Sequence, residues 1–316
     1  MQHRALGRSG LSIAPVVFGG NVFGWTADEP TSFRLLDAFT DAGYNAIDTA
    51  DLYSRWVDGH QGGESETVIG NWLSRGGVAR DKVVIVTKVG MDMGQGKPAL
   101  SARWIMQAAE NSLRRLKTDY IDLYLSHTFD AESPHEETLA AYARLKEQGK
   151  IRAIGCSNFS AEQMQSSFDV AKAAGLPAYD VLQPEYNLYS RDKFEGPLAE
   201  LCQREAIGVI SYYALAAGFL TGKYRKKEDT EGKARSYRVG DYLNTKGFAI
   251  LGALDQVATE TGTTPATVAI AWVAARPGIT APIASATSLS QLESLTRAGD
   301  LQLTEDQLAR LNAAGI

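Results

Sequence analysis

Short β-branched, apolar runs alternate with amphipathic segments from one end of this chain to the other, and that alternation restricts the architecture more than any single motif. The runs are VVFG (16–19), NAID (45–48), VVIVTK (83–88), YIDLYLSH (120–127), IRAIGCSN (151–158), YDVLQPEY (179–186), GVISYY (208–213) and TAPIASA (280–286). Each reads apolar on both faces, as strands of a parallel sheet do when helices cover both sides. Helix starts fall between them: Thr31, Ser101, Ser133 with Pro134, Ser160 with Gln163, and Thr304 with Gln307, the last two pairs having capping-box spacing. Eight β/α units favour a closed (β/α)8 barrel over an open sheet, and 316 residues suit one such domain spanning 1–316.

Two segments break the alternation. HRALGRSGLSIA reads as two short strands about a Ser9-Gly10 turn, a β-hairpin ahead of the first barrel strand that plugs one end of the barrel. Residues 222–247 are polar and basic, then mixed, and read as a long loop at the C-terminal face.

Composition removes several classes. With 32 Lys+Arg against 37 Asp+Glu, a net charge of -5 offers no field for a polyanion, and acidic residues interrupt the basic run 225–233, so nucleic acid is not an expected partner. No run of about 18 apolar residues is present and MQHRALGRSG lacks a signal-peptide core, which leads to the expectation of a cytoplasmic protein with no membrane partner. Cys156 and Cys202 have no metal or redox spacing, so no metal site is expected and both read as small buried thiols. Neither a G-x-G-x-x-G after a strand nor a G-x-x-x-x-G-K-[ST] occurs, and Asn158-Phe159-Ser160, though an acceptor pattern for glycosylation, lacks a secretory context.

In a barrel of this kind, chemistry gathers at the C-terminal ends of the strands. Strand two ends in IDTADLY, strand three in VTKVG and strand four in LSHTFD, which aims Asp48, Tyr53, Lys88 and His127 at one mouth. A lysine closing an apolar run needs a carboxylate, and Asp48 is the natural partner; a purely structural ion pair is the competing reading. Beside that cation the Tyr53 phenol is expected to titrate below its ordinary value of about 10. Taken alone, Tyr53 reads as a half-buried aromatic and His127 as a hydrogen-bonded structural histidine; together the four read as a site.

The constellation resembles the aldo-keto reductase superfamily, and most closely its bacterial and potassium-channel-β-like branch, through GFLTGKYR and the long loop that follows. The resemblance covers essentially the whole chain. It implies a nicotinamide-dependent oxidoreductase on a (β/α)8 barrel, interconverting an aldehyde or ketone, sugar-like compounds included, and its alcohol. Asp48, Tyr53, Lys88 and His127 match the catalytic tetrad, with Tyr53 as general acid or base and His127 orienting the carbonyl.

GCSNFS (155–160) and LQPEYNLY imply Ser157, Asn158 and Gln183 as ligands of the cofactor amide. SYYALAAGFLTGKY implies Tyr212 stacked on the nicotinamide and Leu215, Gly218, Leu220 and Lys223 along the pyrophosphate. Gly20 and Asn21 after strand one, and Ser285, Thr287, Ser288 and Gln291 in PIASATSLSQLESL, complete the cofactor set.

Members preferring the phosphorylated cofactor usually carry Lys or Arg where this chain has Thr287, Ser288 and Gln291, and Ser285 replaces a usual glycine. NADP(H) is the first expectation and NAD(H) its alternative. Trp25, Trp56 and Phe129 are expected to rim the mouth for a small-molecule carbonyl or alcohol. The competing function is a cofactor-binding redox sensor or regulatory subunit with little turnover.

Overall fold

A computed structural model describes residues 2–97, 99–232 and 236–315. The chain opens with β1 (Arg4–Ala5) and β2 (Ser12–Ile13), paired antiparallel as a hairpin. Eight strands follow: β3 (Val17–Gly19), β4 (Ala46–Asp48), β5 (Val84–Val89), β6 (Ile121–Ser126), β7 (Ile151–Ser157), β8 (Val181–Gln183), β9 (Gly208–Ser211) and β10 (Ala281–Ala284). All pair in parallel with the next, and β10 returns to β3, closing the barrel in the order β10-β3-β4-β5-β6-β7-β8-β9. Each of the eight apolar runs of the sequence supplies one strand.

The helices are α1 (Glu29–Asp41), α2 (Glu64–Ser74), α3 (Ala102–Leu116), α4 (His135–Glu147), α5 (Ala161–Ala174), α6 (Pro197–Arg204), α7 (Ser236–Val239), α8 (Thr245–Thr261), α9 (Pro265–Ala274), α10 (Leu289–Asp300) and α11 (Glu305–Ala314). Among the described residues, no helix is long and apolar enough to cross a membrane.

Alternation along the strands divides the core in two. Val84 and Val86 of β5, Leu123 and Leu125 of β6, and Val17, Ala46, Ala153, Val181, Ile210 and Ile283 fill the barrel's interior, while Ile85, Tyr124, Ile154 and Leu182 face the helices. Leu6 and Ile13 of the hairpin join the interior set, so the hairpin stoppers one end. That end is the N-terminal one. Arg8 donates to the carbonyls of Tyr179 and Glu205, which precede β8 and β9, and Arg4 to those of Ala274, at the end of α9, and Thr280, just ahead of β10. Gly7, at φ +55°, lies so close to Gly208 that a Cβ there would stand 2.1 Å from its amide nitrogen. With that end shut, the opposite end is left for chemistry.

The helix caps depart from expectation at two places. α1 starts at Asp28, whose carboxylate accepts from the Thr31 amide, three residues before the expected cap; Pro30 fits inside the first turn because its missing N–H has no helical partner there. At α4 the N-cap is Pro134, and Ser133 donates instead to Asp130. The Ser160–Gln163 and Thr304–Gln307 capping boxes form as expected. Within 222–247 the chain makes 3-10 turns at Lys227–Thr230 and Gly240–Tyr242 around α7, and α8 starts at Thr245, inside the segment read as loop; positions 233–235 lie outside the described residues.

Candidate active site

Lys88 is fully buried near the end of β5, on the same face as Val84 and Val86, and the cost of a buried ammonium is met by four oxygens. Its Nζ lies 2.8 and 2.9 Å from the two carboxylate oxygens of Asp48 at the end of β4, and donates to the Thr49 carbonyl at 2.6 Å and the Tyr53 hydroxyl at 3.0 Å. Asp48 is shared further: Oδ1 accepts from Gln183 Nε2 at 2.8 Å, and Oδ2 accepts from the Tyr53 hydroxyl at 3.3 Å. Four residues from three strands and one turn are thereby tied together.

This arrangement reverses one expectation. Burial, and the Asp48 carboxylate facing the phenol, hold the Tyr53 hydroxyl well above its ordinary 10. The Lys88 charge is already balanced by Asp48, so the cation does not draw the phenol down. Burial also lowers Lys88 from its ordinary value against the pull of Asp48. His127, one residue past β6, is pushed well below 6.5 by burial and by Lys88, and its Nδ1 is buried without a hydrogen-bond partner. Its ring centroid stands 6.2 Å from that of Tyr53. The site therefore presents a neutral phenol and a neutral imidazole above a buried ion pair.

Above these residues opens a cavity of about 670 Å³. Of the residues expected from the sequence, it is lined by Asn21, Asp48, Tyr53, Trp56, His127, Ser157, Asn158, Gln183, Tyr212, Leu215, Gly218, Lys223, Ser285, Thr287 and Gln291. Lys88 sits behind Asp48 and Tyr53, Leu220 is buried, and Ser288 caps α10 by accepting from the Gln291 amide. Gly20 packs under the site, where a Cβ would come within 2.9 Å of the Asp48 carbonyl. Trp25 stands edge-on to Trp56 at 5.5 Å, and Trp56 is 47% exposed beside Tyr53. Phe129 is not among the cavity's lining residues; it packs edge-on to Phe159 at 5.6 Å and beside His135 at 5.7 Å, in an aromatic cluster continued by Tyr179.

The walls are cross-linked by their own polar groups. Ser157 donates to the Gln183 carbonyl at 2.7 Å, and Asn158, held at φ +58°, donates through Nδ2 to the His127 carbonyl at 2.9 Å. Ser285 donates to Asn21 Oδ1 at 2.7 Å over Gly19, where a Cβ would meet Ser285 Oγ at 2.6 Å. The serine is thus accommodated by a glycine opposite. After β9, Tyr213, Ala216, Ala217 and Gly218 all take positive φ, a costly backbone that concentrates at working sites. At the far wall, Gln291 Oε1 accepts from both the Thr287 amide and its hydroxyl.

Several lining residues escaped the sequence reading. Thr264 lies on the wall with Ser290 and Ser294, and the Thr264-Pro265 pair that starts α9 was the available signal. Val22, Thr26 and Tyr213 also line the cavity. Outside it, between the barrel wall and α2 and α3, Glu66 accepts from Thr87 Oγ1 at 2.6 Å and from Arg115 Nε at 2.7 Å. Asp51 belongs to this buried group; it is 2% exposed, neither carboxylate oxygen has a hydrogen-bond partner, and burial with Glu66 nearby pushes it up to about 8.

A family model described as "Aldo/keto reductase family" matches residues 15–316. "Uncharacterized oxidoreductase YrpG" of Bacillus subtilis is 32% identical over 99% of this chain and 95% of its own length. "Aldo-keto reductase YhdN" of the same organism is 34% identical over 97% and 92%. "Probable voltage-gated potassium channel subunit beta" of Oryza sativa is 33% identical over 95% and 92%. The family match and the oxidoreductase names among these relatives support a general oxidoreductase role, in a family that generally uses NAD(P)H. With the family model covering all but the first 14 residues and full-length relatives above 30% identity, this chain belongs to the aldo/keto reductase family.

Proposed function

We propose that the protein is an NAD(P)H-dependent reductase that interconverts an aldehyde or ketone and its alcohol, with Tyr53 as the proton donor. The observation that carries the reading is the phenol of Tyr53 at 3.0 Å from Lys88 Nζ, itself locked on Asp48, at the base of a cavity. A neutral phenol is the form a general acid needs at the start of carbonyl reduction, and the Lys88 ammonium, donating to its oxygen at 3.0 Å, holds that oxygen in place.

The cavity fits a dinucleotide in size, with Gly19 and Gly218 in its lining, since pockets for small-molecule and cofactor ligands run to about 300–1,000 Å³. When bound, the reduced nicotinamide supplies the hydride. Ser157, Asn158 and Gln183 would hold its amide, Tyr212 its ring face, and Gly20, Asn21, Leu215, Gly218, Leu220 and Lys223 the central part. Ser285, Thr287, Ser288 and Gln291 would hold the adenosine end.

NADP(H) is our assignment, following the family's preference. A 2'-phosphate would meet hydroxyls and the capped start of α10 rather than an arginine fork. For His127 we assign the proton to Nε2, because the buried Nδ1 has no acceptor to receive an N–H; Nε2 can then donate to the carbonyl oxygen. Trp56, backed by Trp25, offers the substrate an aromatic wall.

The test is spectrophotometric. Wild-type protein should oxidise NADPH faster than NADH when given aromatic aldehydes, dicarbonyls or sugars. Tight nucleotide binding with no oxidation on any of them would replace this reading with the sensor or regulatory subunit.

A further inference from the structure

Asn158 is engaged on every side before any ligand is considered. Its Nδ2 donates to the His127 carbonyl at 2.9 Å and to Ser157 Oγ at 3.2 Å, which fixes the amide so that Oδ1 is turned toward the end of β9. There, Oδ1 accepts from the Tyr212 hydroxyl at 2.7 Å. This one bond joins the end of β7 to the end of β9 past the intervening β8, and both residues line the cavity. The bond is solvent-accessible, unlike the buried contacts that fix Asp48 and Lys88.

The two ends of this link differ in mobility. Tyr212 has its backbone tied on both sides to the strand it neighbours: its amide donates to the Pro184 carbonyl at 2.9 Å, and its carbonyl accepts from the Tyr186 amide at 3.2 Å. Only its side-chain torsions are available for movement, and a half-buried aromatic needs only χ1 and χ2 to swing. Asn158 is held in the left-handed region by its residue type and by two donated bonds.

We propose that the Tyr212 hydroxyl is a latch: bonded to Asn158 Oδ1 it closes the cleft, and nucleotide entry exchanges that bond for one from the incoming amide while the ring swings aside. The inference rests on the reading of Asn158 and Tyr212 as the nicotinamide end of the site, and adds to it. A phenol whose oxygen stands 2.7 Å from Oδ1 competes for the acceptor and the room that a planar carboxamide bonded to Asn158 needs. Tyr212 would then have two roles in sequence, barring the cleft and then covering the ring.

Stopped-flow fluorescence with NADPH and with NADH, on wild type and Tyr212→Phe, tests this. The phenylalanine keeps the aromatic face and removes one solvent-accessible hydroxyl. Association should speed up about three- to ten-fold, the range spanned by one exchanged hydrogen bond, with dissociation unchanged and Kd tightened by the same factor. Equal association rates in the two proteins, or slower association in the variant, overturn the latch and leave the nucleotide site standing. Failure of the wild type to bind either nucleotide removes both.

Discussion

Tyr53→Phe should lower carbonyl reduction by two to four orders of magnitude while leaving nucleotide affinity unchanged, the span a positioned general acid contributes. The change removes one oxygen. That oxygen is the only group of Tyr53 that touches both Lys88, at 3.0 Å, and Asp48, at 3.3 Å, so the ion pair beneath survives and the fold should persist. Because the phenol is held above 10 in the folded protein, activity in the reductive direction should show no loss from Tyr53 ionisation up to that pH. Steady-state kcat and a fluorescence titration of nucleotide, made on the same two samples, check the statement. An unchanged kcat would show that the proton comes from elsewhere.

The second large effect concerns stability. Asp51 has an ordinary pKa of 3.8 in an open chain and about 8 in the fold, where burial first and Glu66 second oppose its ionisation. Folding therefore takes up a proton between pH about 4 and about 8. Stability contributed by this site is fully present below the lower value, falls as pH rises, and levels off above the upper one, for a total on the order of 5 kcal/mol.

Asp51→Asn removes the titration while keeping the shape. Its stability relative to wild type should rise by about 1.4 kcal/mol per pH unit across that window, whatever constant offset the amide brings. Urea unfolding of both proteins at several pH values measures the slope. Parallel curves would mean that Asp51 is ionised in the fold and finds partners in ordered water.

The barrel was legible because period-two patterning and strand-end position are properties of short stretches: IDTADLY, VTKVG and LSHTFD each carry their part of the site regardless of what the rest of the chain does. What eluded the sequence depends on contacts across long separations. Phe129 meets Phe159 thirty residues on, and no local pattern marks which of the two strand-end surroundings it joins.

The direction of the Tyr53 shift required knowing that Asp48 reaches both the lysine and the phenol, which spacing alone does not give. Asp51 lies inside the very motif that supplied Asp48 and Tyr53, yet its isolation beside Glu66 appears only when α2 and α3 pack on the barrel. The α1 start was misjudged by three residues because Asp28 and Thr31 are both good caps and Pro30 between them is compatible with either.

The most direct measurement of the central claim follows the hydride itself. NADPH carrying deuterium at both C4 positions would be incubated with the protein and an aldehyde that it consumes, and the alcohol analysed by mass spectrometry. Deuterium bound to the carbinol carbon, and lost in parallel with turnover in Tyr53→Phe, is the predicted result. Alcohol formed without the label, or nucleotide bound with no labelled product from any carbonyl, would contradict the account.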